Sequence, residues 1–262
     1  MSVTSPEAQF EHELEVFRTE AESAAQFFYA YLTVHAVAGD NKAVYRLLNT
    51  APLFWNTSLG ALQTAAFIAL GRIFDQNSTH NLDRLFRLAQ NNPSIFSRSA
   101  LGARKQGNNP TPPEWLAEYL RDAYVPTATD FRRLRAHAKK HRKVYEVKYR
   151  DLRHKLFAHK EVSSRADIAA LFAKTNIREL QKMLAFLGSL YTALWELFVN
   201  GRKPVLRPRR YSVKQMRHSP SPDWRPSVVQ ERITHEVERF LQSAAGVAQQ
   251  RLAAGTPKAV RH

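Results

Sequence analysis

Apolar residues recur along most of the chain at the three- and four-residue spacing of a helix face, and the alternating pattern of a strand barely occurs. Ser5-Pro6 reads as the cap of a first helix that runs through EHELEVFRTEAESAAQFFYAYL to about Val37. The stretch LLNTAPLFWNTSLGALQTAAFIALG, Leu47 to Gly71, carries no charged side chain and is long enough to span a bilayer. Its Asn49, Thr50, Asn56, Thr57, Ser58, Gln63 and Thr64 are too many polar groups for a lipid-facing segment, so the expectation is a buried central helix. Asn81 is placed to cap LDRLFRLAQ, and Thr111 with Glu114 reads as a capping box for PPEWLAEYLRDAYV. Thr127-x-x-Asp130 opens a long basic helix, Ser164-x-x-Asp167 another, and Asn176-x-x-Glu179 caps IRELQKMLAFLGSLYTALWELFV. The pattern predicts an all-α bundle over residues 5–200.

After Gly201 the periodicity stops, and residues 201–226, GRKPVLRPRRYSVKQMRHSPSPDWRP, read as a basic, Pro-rich linker whose cations add RNA affinity. Val229, Ile233, Val237, Phe240, Leu241, Ala244 and Ala248 then mark an amphipathic helix over residues 227–253, with a flexible tail at 254–262. That helix must dock on its own chain or on a partner. No internal repeat is detectable.

Charge changes this picture more than size does. The 262 residues carry a formal net charge of +16, which favours polyanions, nucleic acid first, as partners. The chain has no Cys, which removes disulfides, thiolate nucleophiles and cysteine-ligated zinc. Its acidic first residues lack the features of a signal peptide, so a cytoplasmic location and no membrane partner are expected.

The basic helix, TDFRRLRAHAKKHRKVYEVKYRDLRHKLFAH, holds a buried-type stripe of Phe131, Leu134, Ala138, His141, Tyr145, Tyr149, Leu152, Leu156 and His159. Around that stripe stand Arg132, Arg133, Arg135, Lys139, Lys140, Arg142, Lys143, Lys148, Arg150, Arg153, Lys155 and Lys160, against only Asp130, Glu146 and Asp151. Cations this dense repel one another unless a polyanion or counterions screen them. Lys155 and His159 share a face, whereas Arg153 and His159, six residues apart, diverge by roughly 120° on an ideal helix. Their convergence needs a break near Ala158-His159 or the same helix of a second subunit. Arg132 with His137, and Arg135 with His141, show similar spacing but lack the apolar Leu-Phe-Ala run between their members.

The stretch LRHKLFAHKE, with Arg153, Lys155, Ala158 and His159, resembles the Arg-to-His motif of the HEPN superfamily, and in particular its AbiU-type abortive-infection branch. RIFDQNSTHNLDRLFRL, Arg72 to Leu88, is similar to a second segment of that branch. The resemblance implies an all-helical HEPN-like bundle and a metal-independent endoribonuclease of a phage-defence or toxin–antitoxin system, without a cofactor. It implies His159 as the proton-transfer group and Arg153 as the phosphate-binding cation, with His154, Lys155, Lys148, Arg150 and Lys160 available to hold RNA. Glu161 stands where one HEPN subgroup has a Tyr. The expected partners are RNA and a second copy of the chain, with an antitoxin or regulatory protein as a further candidate. The alternative is a non-catalytic nucleic-acid-binding or adaptor HEPN protein.

Overall fold

A computed structural model describes residues 5–151, 176–219 and 228–254, with side chains up to residue 250. Every regular element among the described residues is a helix, and none is a strand. The elements are α1 (Pro6–Asp40), α2 (Lys42–Thr50), α3 (Pro52–Phe74), α4 (Leu82–Asn91), a 3₁₀ turn (Pro93–Phe96), α5 (Arg98–Gln106), α6 (Leu116–Asp122), α7 (Ala128–Lys148), α8 (Ile177–Asn200), α9 (Val213–Arg217) and α10 (Val229–Ala254). The fold class is the all-α one that the periodicity predicts.

Several predicted caps form. Asn81 accepts from the Arg84 N–H at 3.0 Å, and Asn176 accepts from the Arg178 and Glu179 N–H groups at 2.8 and 3.4 Å. At the start of α7, Asp130 accepts from both the N–H and the hydroxyl of Thr127, each at 2.9 Å. These contacts satisfy donors that a helix start otherwise leaves open. The Thr111 capping box does not form. α6 begins only at Leu116, after a turn, because each of the prolines at 112 and 113 disfavours helical backbone in the residue before it.

The chain divides into two compact units, residues 1–22 with 67–210 and residues 23–66 with 211–262. In the first, Phe10 meets Phe96 and Phe198 at ring-centroid distances of 5.2 and 5.1 Å, and Phe96 meets Phe131 at 5.3 Å. Phe74 stacks on Tyr145 at 5.5 Å, and Leu187, Leu190 and Leu194 of α8 are fully buried. Arg104 lies 4.1 Å over the Phe198 ring while donating to Glu7 at 2.5 Å and to the Phe198 carbonyl at 2.8 Å. A cation so enclosed is stabilised by the ring face and its paired carboxylate together. α8 ends at Gly201, whose φ of 57° suits glycine. A Cβ there would also meet Leu101 Cδ2 at 2.6 Å.

In the second unit, Val34, Val37, Val44, Leu241 and Ala245 form the core, with Trp55, Leu59 and Val237 packed against it. α10 thus docks on its own chain, chiefly along α2 and α9. The Tyr29 hydroxyl donates to the Tyr211 carbonyl at 2.9 Å, and the buried Thr33 and Thr234 hydroxyls lie 3.3 Å apart. Arg217, read from sequence as free to meet a phosphate, is instead held by Asp40 at 2.7 Å and Glu238 at 2.9 Å.

The uncharged stretch at 47–71 differs from its expectation. Ala51-Pro52 breaks it into α2 and α3, and no residue of α3 before Ala66 is fully buried. Leu53 and Phe54 are 81% and 62% exposed. Proline at the start of α3 explains the break, since it cannot donate to the preceding turn.

Candidate active site

α7 sorts its cations by face. Phe131, Leu134, Ala138 and Tyr145 are buried, as the stripe predicts. On one flank Arg135 and Arg142 reach the same carboxylate, Asp83 of α4, at 3.4 and 2.7 Å. Burial alone would raise the Asp83 carboxyl, but Arg142 and then Arg135 hold it below its ordinary value. Arg133 donates to the Pro204 carbonyl at 3.2 Å. Arg132, Lys139, Lys140 and Lys143 remain exposed, with no ion pair to a carboxylate among the described residues.

The two histidines with competing Arg-to-His spacing separate as well. His137 is exposed. His141 stacks on Phe186 of α8 at 4.2 Å, and burial, followed by the nearby His137, lowers its pKa to about 4. A ring so placed is a neutral packing element.

At the C-terminal end of α7, Tyr149 is fully buried and stacks on Phe67 at 5.9 Å. Its hydroxyl lies 3.2 Å from both the carbonyl oxygen and the N–H of Asn176, donating to the first and accepting from the second. Burial pushes its pKa up to about 12, so it stays protonated and can keep both contacts across the neutral range. Lys148 pairs with Glu179 of α8 at 2.6 Å, one turn beyond Asn176. The clasp brings residues 149 and 176 together, so the chain leaves α7 and enters α8 at one point. Sequence reasoning placed Tyr149 on the buried stripe but gave no sign of this clasp, because its partner is a backbone group.

Of the predicted site residues, Lys148 is thus engaged by Glu179, and Arg150 is exposed just past the clasp. Arg153, His154, Lys155, His159 and Lys160 lie outside the described residues, between the two clasped positions.

A second polar cluster carried no sequence signal. Glu13 of α1, 3% exposed, accepts from Arg84 Nε at 2.6 Å and from His80 Nδ1 at 3.0 Å, with His12 edge-on to His80 at 5.8 Å. Both donors satisfy a carboxylate that would otherwise be costly to bury, and they fix α1 against the start of α4. No group of three or more His, Asp or Glu side chains suited to a metal gathers among the described residues.

No curated protein and no solved structure matches the chain. The HEPN_AbiU2 family, described as AbiU2, matches residues 7–216, a span that includes α7, the Tyr149 clasp and the Arg153–His159 motif. The chain belongs to the HEPN_AbiU2 family, and so is a HEPN protein of the abortive-infection type.

Proposed function

We propose that the protein is a metal-independent endoribonuclease in which Arg153 and His159 act on a phosphodiester of RNA. The observation that carries this reading is the family match extending through the motif, LRHKLFAHKE. The clasp supports it, since it brings together Tyr149 and Asn176, the positions that flank the motif in sequence, on two packed helices.

In this reaction the ribose 2′-oxygen attacks the adjacent phosphorus, its proton passes to a base, and the bond to the 5′-oxygen breaks as that oxygen takes up a proton. The products are a 2′,3′-cyclic phosphate and a free 5′-hydroxyl. Imidazole suits either proton transfer near neutral pH, so His159 takes that role. The Arg153 guanidinium presents two parallel donors to the phosphate oxygens as charge builds there. On one helix the two residues diverge, so we place a second copy of the chain across the site, with Arg153 of one protomer facing His159 of the other.

The test is cleavage of purified cellular RNA in EDTA. Arg153→Ala or His159→Ala should each reduce the rate by about a hundredfold or more. His137→Ala should retain it. Mixing the two site variants should restore part of the activity if the site is shared between copies. A His159→Ala protein with native circular dichroism and full activity would leave the non-catalytic, RNA-binding reading standing instead.

A further inference from the structure

We infer that the exposed row of α7 is a track for single-stranded RNA, ending in a nucleobase subsite formed by the cleft between α4 and the start of α7. The inference rests on RNA being the ligand and names how that ligand is held away from the cleaved bond.

The row follows from helix geometry. Lys139 and Lys143 stand seven and eleven residues after Arg132, within roughly 20° of its direction on either side. All three are exposed, as is Arg150 just past the end of the helix. The flank that contains Arg135 and Arg142 is neutralised by Asp83, and Lys148 by Glu179. What remains is a line of three cations about 17 Å long that runs back along α7 toward its start, with the half-buried Glu146, about 40° off the line, marking its other end. Single charges about 10 and 6 Å apart along a line match a phosphate chain better than a compact anion.

At the far end of that line lies an open cleft of about 230 Å³, too small to enclose a whole nucleotide but wide enough to take the edge of one flat base. Pro93, Pro126 and Phe131 give it apolar walls, while Gln90 and Arg132 supply polar groups. The cleft persists because each neighbouring element is already complete. Asn92 carries the end of α4 through the Leu88 carbonyl at 3.0 Å, and Asp130 occupies the Thr127 donors at the start of α7. No acid lines it. Apolar walls with an amide on the edge suit a flat base with polar edges. Arg132, at the junction of row and cleft, can stack on that base or hold its phosphate.

The test uses the full chain and fluorescent 2′-O-methyl oligoribonucleotides, which lack the attacking hydroxyl and so report binding alone. Combining Arg132→Ala, Lys139→Ala and Lys143→Ala should weaken binding and reduce the slope of log affinity against log salt by about 2, at about 0.7 for each lost phosphate contact. Arg135→Ala, on the neutralised flank, should leave the slope as it is. Gln90→Ala should lower affinity by roughly fivefold or more without changing the slope, and should reduce the preference among homopolymers, because it removes an uncharged contact to a base edge. An unchanged slope in the triple variant, or Gln90→Ala indistinguishable from the parent, overturns the inference, as does failure to bind the oligomers at all. The two proposals separate cleanly. RNA cut through Arg153 and His159 while binding ignores these substitutions sinks the track alone. The predicted binding effects without cleavage sink the nuclease and leave the track.

Discussion

α3 and α8 are similar in length, at 23 and 24 residues, and by length and composition each is apolar enough to cross a membrane, yet the structure treats them differently. In the most apolar part of α8, 56% of residues are buried, against 39% in α3. The contrast comes from where polar groups fall. α8 concentrates its acids and amides on one side and gives the other to Leu180, Met183, Leu184, Leu187, Leu190 and Leu194, all buried. α3 disperses uncharged polar residues around its first half, which leaves only a narrow apolar strip there, Trp55, Leu59 and Leu62, all half-buried. Thr57 and Thr64 turn their hydroxyls back onto the Leu53 and Gly60 carbonyls, each at 2.8 Å, which satisfies them without tertiary partners. An apolar average therefore does not make a core helix; a continuous apolar face does.

The largest effect expected from this contrast is in α8. Leu194→Ala removes a side chain with no solvent exposure from between close-packed neighbours, and should cost about 2–5 kcal/mol of unfolding free energy in urea titration. Leu53→Ala in α3, at an 81% exposed position, should cost only a few tenths of a kcal/mol. Equal losses at the two positions would break the comparison.

Those elements that owe their existence to one strong periodic face were legible in the sequence. Residues 177–200 and 229–254 appear as helices close to where the pattern puts them, and the α7 stripe from Phe131 to Tyr149 is the buried one. The α2–α3 break was missed because hydropathy averages over Ala51-Pro52, although the proline carried the signal. Partners across long sequence separations were not legible at all. Nothing local announces that Asp83 takes both Arg135 and Arg142, that Arg217 is enclosed by Asp40 and Glu238, or that Tyr149 finds the backbone of Asn176. The motif residues Arg153 and His159 were singled out by resemblance to a family, and the match over residues 7–216 supports the family. Their geometry lies outside the described residues.

A smaller effect sharpens the contrast through pH. His141 lies against Phe186 of α8, and burial holds its pKa near 4, below its ordinary value of 6.5. The unfolded chain takes up a proton at this side chain below about pH 6.5, whereas the folded chain refuses it until about pH 4. This contribution to stability is complete above that window and is lost as pH falls through it, with a slope of up to about 1.4 kcal/mol per pH unit. His141→Gln, which cannot titrate, should show a shallower loss than the parent between pH 6.5 and 5 in urea titrations. Parallel curves would mean that the imidazole is protonated in the fold and that its ring is not packed as described.

The smallest effect on stability is expected at the exposed start of α3. Leu53 and Phe54 precede Trp55 and Leu59, which pack against Val34, Val37, Val44 and Leu241. Replacing Leu53 and Phe54 with Ser removes apolar surface that water already reaches, so little transfer free energy is at stake. Serine is a poorer helix former than leucine, but near the first turn, where the helix makes fewer hydrogen bonds, that penalty is small. The double variant should unfold within about 0.5 kcal/mol of the parent. Trp55→Ala, one residue further along, should cost several times more, because its ring lies on the core of the second unit. A large loss from Leu53→Ser with Phe54→Ser would mean that this surface is covered in the folded protein, and the distinction between α3 and α8 would then lie in what covers each helix and not in how each is patterned.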